Sequence, residues 1–368
     1  MSIWKPVGPN FPLSRPDQLR VPFDRSNAHV YARALIDFAE RASTQSPHVT
    51  VSLPRFRLLA ASNSSHFVEM CRRALVDDPV YADDQAPLTI GTYDYESRPD
   101  MPRGIWADAM FGLSVVADGL RPAGFEGLFD FEYKRWQFYD PATRRGVEAL
   151  AAPGGYPPWT ESFPIRNLMH WAYQAIGWRI VHGGTLGIDG KGVMVIGPGG
   201  SGKSGTTLAG ILAGMQSVGD DYVAVDPGEG KLVAYPVMRL VKQDPAGLKR
   251  LGLDPAALGL SETNWQNKYE FDFEALGAGR RAKWIELQAI LLPRIANAER
   301  SSFSRAPAHA AMMGLAPNNL SQLPDGWREG LSFTASMARR IPGYYLDLGT
   351  DKNEIADSVG EFIAGKRP

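Results

Sequence analysis

The chain has 368 residues, of which 44% are hydrophobic and 21% charged, and its net charge at pH 7 is −1. This length predicts two domains with ordinary cores, and the balanced charge argues against electrostatic binding to nucleic acid or to an anionic membrane. The single cysteine, Cys71, rules out an intrachain disulfide and suits a reducing compartment. Because the sequence contains no apolar leader and no bilayer-length apolar run, it predicts a cytoplasmic protein.

Residues 1–158 are predicted to form a small α+β domain. The apolar stripe from Ser26 to Ala42 indicates a helix, and the alternation from Leu88 to Tyr95 indicates a strand. The segment Ala151–Pro158 is rich in proline and glycine, as linkers are. We therefore place the second domain at residues 159–368 and expect the first to serve in recognition or in oligomerisation.

The second domain contains Gly-Pro-Gly-Gly-Ser-Gly-Lys-Ser at residues 197–204, which satisfies the phosphate-binding motif G-x-x-x-x-G-K-[ST]. The apolar run Gly192–Ile196 predicts a buried strand before the motif. Apolar residues at helical spacing between Leu208 and Met215 predict a helix after it. Upstream, Asp189-Gly190 joins two apolar runs and predicts a β-hairpin, which would give the strand an antiparallel partner.

Each residue type in this loop suits a bound polyphosphate. Glycines let backbone N–H groups approach phosphate oxygens, and the start of the following helix adds a positive dipole end. Lys203 is expected to reach the β- and γ-phosphates and Ser204 to bind Mg²⁺, so ATP and Mg²⁺ are the predicted cofactors. The residues expected to contact the nucleotide are Gly197, Gly199, Gly200, Ser201, Gly202, Lys203, Ser204 and Gly205.

Two adjacent carboxylates, Asp220 and Asp221, follow this helix and precede the apolar run Tyr222–Val225. The interval after Ser204 holds about one helix and one turn, which returns the chain to the phosphate loop. Because neighbouring side chains of a strand point to opposite faces, we expect the two acids to divide their tasks. One would serve the metal and the other would face the acceptor hydroxyl, and the spacing leaves open which does which.

A basic side chain is also required near the γ-phosphate, because the charge on the transferring group must be neutralised. We favour Arg239 or Lys242, which follow the predicted strand Lys231–Tyr235. The other candidates are Lys268, the pair Arg280-Arg281 and Arg294.

The order of these segments resembles the C-terminal catalytic domain of HPr kinase/phosphorylase. The resemblance is carried by His182-Gly-Gly, the hairpin, the phosphate loop with its helix, and Gly219-Asp-Asp-Tyr-Val. The chain looks still more like the HPr-kinase-like serine kinases, some of which accompany lasso-peptide biosynthesis clusters; all are relatives of phosphoenolpyruvate carboxykinase. The likeness covers about residues 160–365 and includes Pro164–Trp171, Tyr235–Lys242, Leu287–Arg294 and Ile341–Gly349.

The resemblance implies an α/β (α+β) fold, in which a P-loop catalytic domain with a mixed sheet accompanies the smaller N-terminal domain. It implies a kinase that transfers phosphoryl groups from ATP to a hydroxyl, with Lys203 on the phosphates and Asp220 as general base. Asp221 would join Ser204 on the metal side, and His182 would hydrogen-bond the catalytic acid. By analogy with the hexameric HPr kinases, a homo-oligomer is expected.

The chain departs from this family at Gly205, where glutamate is usual, and the bifunctional signature segment is not recognisable downstream. The resemblance therefore does not support phosphorylase activity or HPr as the acceptor. We expect the acceptor to be a serine or threonine of a peptide or protein, with a small-molecule hydroxyl as the alternative. A P-loop nucleotide hydrolase or regulatory ATPase is a further alternative, although the arginine fingers and switch segments of that class are not found.

Overall fold

A computed structural model describes residues 22–23, 27–81, 87–103, 105–106, 119–277, 280–324 and 327–367. The N-terminal stretch, on which the expectation of a cytoplasmic protein partly depends, lies outside these residues. The described part combines eight helices with several mixed sheets, in agreement with the α/β (α+β) class. None of its helices has both the length and the apolar character needed to cross a membrane.

The chain divides into two compact units, Met1–Arg72 with Asp77–Ala175, and Arg73–Val76 with Ile176–Pro368. The division after Ala175 differs from the boundary expected after residue 158. Helix α3, Arg166–Ala175, follows the proline- and glycine-rich segment but belongs to the first unit. The Tyr173 hydroxyl donates a hydrogen bond to the Pro54 carbonyl at 3.0 Å. Composition thus located a loop, whereas the packing of the next helix decides the boundary.

The first unit is built on a six-stranded mixed sheet. Its strands are β2 His48–Leu53, β3 Phe56–Ser62, β4 Leu88–Asp94, β6 Glu126–Asp130, β7 Arg135–Asp140 and β8 Arg145–Leu150, beside a separate pair, β1 Pro22–Phe23 and β5 Ile105–Trp106. The strand order is β2-β3-β4-β8-β7-β6, in which β3, β4 and β8 run parallel. Helix α1, Ala28–Ser43, buries an apolar face that includes Tyr31 and Phe38 in the core of this unit. Helix α2 covers Ser65–Ala74.

The second unit contains a ten-stranded mixed sheet and a separate two-stranded ribbon. The sheet strands are β9 Arg179–His182, β10 Gly184–Ile188, β11 Lys191–Val195, β12 Gln216–Ser217, β13 Tyr222–Asp226, β14 Val233–Pro236, β17 Arg280–Arg281, β18 Ile285–Ala298, β19 Ser302–Ala306 and β20 Gly343–Gly349. The ribbon strands are β15 Leu240–Gln243 and β16 Tyr269–Asp272. The helices are α4 Lys203–Leu212, α5 Pro245–Arg250, α6 Ala308–Gln322, α7 Trp327–Arg340 and α8 Lys352–Ile363.

The main strand order is β17-β12-β10-β11-β18-β14-β13-β9, with β20 pairing both β18 and β19. The predicted hairpin is confirmed, since β10 pairs antiparallel with β11 across Asp189 and Gly190, whose φ angles of 50° and 76° suit a tight primed turn. Alternate residues of β11 enter two apolar clusters, Val193 with α4 and α8, and Met194 with α6 and α7. This alternation explains why β11 is apolar throughout: both faces are covered.

Candidate active site

The predicted strand, loop and helix occur in the expected order around the glycine-rich motif. Strand β11 ends at Val195, the Ile196 N–H donates to the Leu291 carbonyl at 2.9 Å, and α4 begins at Lys203. Gly202 caps the helix in the left-handed region, at φ 103°, and a Cβ there would lie 2.4 Å from the Leu348 side chain. Only glycine meets both conditions, so the shape of the loop depends directly on this residue.

Lys203 folds back over the loop that precedes it. Its ammonium group donates to the carbonyl oxygens of Gly197 at 2.7 Å and Pro198 at 3.0 Å. Burial lowers the pKa of Lys203, and repulsion from Lys268 acts in the same direction, while the nearby Asp220 opposes both. The first N–H groups of α4 have no acceptor within the helix. A cation and a set of backbone donors therefore converge on one small region.

Pairing with the hairpin strand β10 holds the acidic pair beside this region. The Gly183 N–H donates to the Asp221 carbonyl at 2.8 Å, and the Thr185 N–H donates to the Gly219 carbonyl at 2.9 Å. Gly184 lies between helix and acids, because a Cβ at this position would come within 2.4 Å of the Thr207 hydroxyl and 3.2 Å of the Asp220 carbonyl. The hairpin thus sets the approach of α4 to the acidic turn.

Asp221 is held by two cationic or potentially cationic side chains, one on each carboxylate oxygen. His182 Nε2 lies 2.8 Å from Oδ1, and the Lys242 ammonium donates to Oδ2 at 2.7 Å. Burial alone would raise the pKa of Asp221, but Lys242 and His182 together hold it well below its usual range. Asp221 therefore stays ionised at neutral pH, and each of its carboxylate oxygens already has a side-chain partner.

We expect breaking this buried pair to destabilise the protein strongly. Lys242→Met leaves Asp221 with one partner fewer in a site where Lys242 and Asp221 are only 11% and 16% exposed, so we expect a loss of about 3–5 kcal/mol in the free energy of unfolding. Urea unfolding at pH 7 measures this loss. The control is Lys231→Met, which breaks an ion pair whose lysine is 66% exposed and should cost about 1 kcal/mol or less. Equal losses in the two variants would contradict the role of Lys242.

His182 reaches Asp221 from the neighbouring strand. It lies on β9, directly opposite Tyr222 of β13, and the two rings stack with centroids 4.8 Å apart. The Tyr222 hydroxyl donates to Gln322 at the end of α6. The imidazole is thus oriented by a strand partner, a stacked ring and the carboxylate.

Asp220 has a different environment from its neighbour. It is 2% exposed, and neither of its carboxylate oxygens has a hydrogen bond of ordinary geometry with the described residues. Burial and the charge of Asp221 raise its pKa to about 6, although the Ser204 hydroxyl and the Lys242 N–H lie close enough to moderate that increase. Burying a carboxylate without well-formed hydrogen bonds is costly, which makes Asp220 a candidate functional residue.

We expect Asp220→Asn to stabilise the protein at alkaline pH. The folded-state pKa of about 6 exceeds the ordinary value of 3.8, so wild type loses stability as pH rises through this interval, by up to about 3 kcal/mol. The asparagine variant should unfold at a higher temperature than wild type at pH 8, and the difference should vanish near pH 4. Asp226→Asn, at the other end of β13, is the control and should show no such pH-dependent gain. A difference that does not depend on pH would contradict the assigned pKa.

The structure separates the basic candidates by their partners. Arg239, favoured from sequence, pairs with Asp272 at 2.8 Å and is absent from the charges that shift the pKa of Asp220 or Asp221. Lys242, also favoured, contacts Asp221 directly. Lys242 lies within β15, two residues beyond Leu240, whereas Arg239 precedes the strand. Other arginines are engaged elsewhere, Arg281 with Asp272 and Glu274, and Arg294 with Asp347.

Near the glycine-rich loop lie one residue that sequence did not single out, Gln243, and one of the other basic candidates, Lys268. Gln243, 5% exposed, directs its amide toward Gly205, where a Cβ would lie 3.9 Å from Nε2. Lys268 affects the pKa of both Lys203 and Asp220. Both lie on the β15–β16 ribbon or beside it, and this long-range pairing brings them to the site. Sequence placed Lys268 among several basic candidates without favouring it, and no local pattern pointed to Gln243.

Among the described residues, no three or more histidine, cysteine, aspartate or glutamate side chains gather in the manner of a protein-only metal centre. A P-loop Mg²⁺ site needs fewer protein ligands, since phosphate and water oxygens complete the shell. The chain matches none of the protein-family models with which it was compared, and no curated protein matches it. The geometry of this site and the sequence motifs are therefore the features that bear on its function.

Proposed function

We propose that the second unit is an ATP-dependent phosphotransferase with an HPr-kinase-like P-loop fold. It transfers the γ-phosphoryl group to a hydroxyl, that of a serine or threonine in a peptide or protein. The observation that carries this proposal is the buried Asp220, which has no hydrogen bond of ordinary geometry and lies close to Ser204 of the phosphate loop. A hydrolase needs to orient water, but a transferase also needs a base that meets the acceptor proton.

The residues present fit a nucleotide with Mg²⁺. The glycine-rich loop, the free N–H groups at the start of α4 and the Lys203 ammonium provide donors for the phosphates. The Ser204 hydroxyl would hold Mg²⁺ together with phosphate oxygens, and the ion would neutralise charge on the β- and γ-phosphates. Asp221, expected on the metal side, has both oxygens in contact with His182 and Lys242, which favours a positioning role for it instead.

In the proposed reaction Asp220 is the general base. Its carboxylate accepts the proton of the acceptor hydroxyl while that oxygen forms a bond to the γ-phosphorus, and the bond from the γ-phosphorus to the oxygen bridging to the β-phosphate breaks. The pKa of about 6 suits this task, because the group is then mostly deprotonated at neutral pH yet still basic. The strongly lowered pKa of Asp221 makes that group a poor base.

The test is incubation of the full chain with γ-labelled ATP, Mg²⁺ and a panel of acceptors: cell-extract peptides, free serine and threonine, and sugars. Mass spectrometry of the acceptors identifies the product. Labelled peptide that depends on wild-type protein supports the proposal, and labelled sugar or free amino acid supports the small-molecule alternative. Release of free phosphate at the same rate with and without every acceptor would instead indicate a nucleotide hydrolase.

A further inference from the structure

The reaction proposed above needs a cation that can bind the transferring phosphoryl group, and most basic side chains near the site are already engaged. Lys242 is tied to Asp221, and Arg239 is tied to Asp272. Lys203 contacts carbonyl oxygens of its own loop and is expected to span the β- and γ-phosphates. Lys268, by contrast, is half-buried, and its ammonium forms no ion pair with any of the residues that the structure describes.

Strand pairing brings Lys268 to the phosphate loop. It directly precedes Tyr269 of β16, which lies opposite Gln243 of β15, while Glu270 lies opposite Lys242. Gln243 in turn directs its amide at Gly205, in the first turn of α4. Lys268 therefore lies one residue beyond the Gln243–Tyr269 pair, at the end of the ribbon that faces Gly205.

The turn that carries Lys268 is built around one side chain. The Asn264 Oδ1 accepts hydrogen bonds from the N–H groups of Gln266 at 2.9 Å and Lys268 at 3.1 Å, and its Nδ2 donates to Glu270 at 2.6 Å. The Asn264 N–H donates to the Lys268 carbonyl at 2.8 Å, and Asn267 adopts a left-handed φ of 57°. The backbone of Lys268 is thus fixed on both sides while its ammonium pairs with no carboxylate among the described residues, which is the arrangement expected of a preorganised ligand.

Electrostatics supports the same placement. Lys268 contributes to lowering the pKa of both Lys203 and Asp220, so its charge lies within range of the phosphate-binding lysine and of the carboxylate proposed as base. A cation within range of both groups is suited to neutralise the negative charge on the phosphoryl group during its transfer.

We infer that Lys268, held by the turn Thr263–Lys268, binds the γ-phosphoryl group. This inference rests on the proposed function, because it assumes that the loop binds ATP. Lys268 is then a specificity determinant as well as a catalytic residue: it distinguishes ATP, which carries the γ-phosphate, from ADP, which does not. Lys203 contacts both nucleotides and cannot make that distinction alone.

Isothermal titration of the full chain with Mg-ATP and with Mg-ADP tests the inference without requiring an acceptor. We expect Lys268→Ala to weaken ATP binding about tenfold and ADP binding by less than about twofold. Lys268→Arg should keep most of the preference for ATP. The matched control is Lys249→Ala, which removes one exposed positive charge from α5 in the same unit and should leave both affinities unchanged.

An unchanged ratio of ATP to ADP affinity in Lys268→Ala would overturn the inference, whether both affinities stay the same or both fall by the same factor. The turn is held by backbone and Asn264 hydrogen bonds, so we expect the variants to fold. If Lys268→Ala does not fold, Lys268→Arg takes its place, because it retains the charge. The outcome is separable from the fate of the proposed function. Loss of ATP preference without phosphoryl transfer to any acceptor would keep Lys268 as a γ-phosphate ligand and remove the kinase assignment.

Discussion

Replacing Lys203 with alanine should reduce kcat/KM for ATP by about 10²–10³-fold and weaken nucleotide binding. The residue is positioned by the first turn of α4, and its ammonium lies over the glycine-rich loop with contacts to the carbonyls of Gly197 and Pro198. A bound phosphate would compete with those carbonyls for the same charge. Without Lys203 the loop keeps its backbone donors but loses the cation that contacts its carbonyls.

This first prediction is measured by phosphate transfer or release from labelled ATP and by direct titration of Mg-ATP. The control is Lys249→Ala, which changes the net charge by the same amount at an exposed position of α5. Circular dichroism of both variants should match wild type, because the Lys203 ammonium donates its hydrogen bonds to carbonyls of its own loop. Wild-type turnover in Lys203→Ala would remove the loop from the mechanism.

Replacing Asp220 with asparagine should reduce phosphoryl transfer by about 10²–10⁴-fold while leaving the affinity for ATP nearly unchanged. Asparagine has the same shape and fits the buried site, but it cannot accept the proton of the acceptor hydroxyl. The wild-type pH profile of kcat/KM should fall on the acid side near pH 6, where Asp220 becomes protonated. That limb should be missing from the residual activity of the variant.

Two matched acids make this second prediction specific. Asp226→Asn, at the far end of β13, should have wild-type activity, since its carboxylate accepts a hydrogen bond from the Gly228 N–H of the following turn. Asp221→Asn should weaken the hold on His182 and Lys242 and lower activity together with stability. If Asp220→Asn instead loses ATP affinity and keeps its maximal rate, then Asp220 is a metal ligand and not the base.

Predictions from local pattern agree with the structure where short-range chemistry decides. Asp189-Gly190 sets the primed turn of the hairpin because both residues tolerate a positive φ. Gly202 ends the phosphate loop because no other residue fits beside Leu348. The domain boundary at residue 158 differs from the division at Ala175 because the packing of α3, through contacts such as Tyr173 with Pro54, carries no signal in composition.

The adjacent pair Asp220-Asp221 shows what a sequence leaves open. Both residues are acids that directly precede strand β13, and nothing in the local sequence distinguishes them. Strand β9 positions His182 beside Asp221, and the ribbon positions Lys242 beside the same carboxylate. The charge of Asp221 is therefore balanced, while Asp220 is buried without such partners. The choice of Lys242 over Arg239 has the same origin, since only the register of the ribbon decides which side chain reaches the acidic pair.

The sequence by itself determined the phosphate-loop motif, the hairpin before it and the two carboxylates after it, because turn chemistry, glycine conformations and apolar periodicity act over a few residues. Only the tertiary structure decided which carboxylate is engaged, which lysine remains available and where the first unit ends. Those outcomes depend on pairing between strands far apart in the chain, and on the burial that such pairing imposes on each charge.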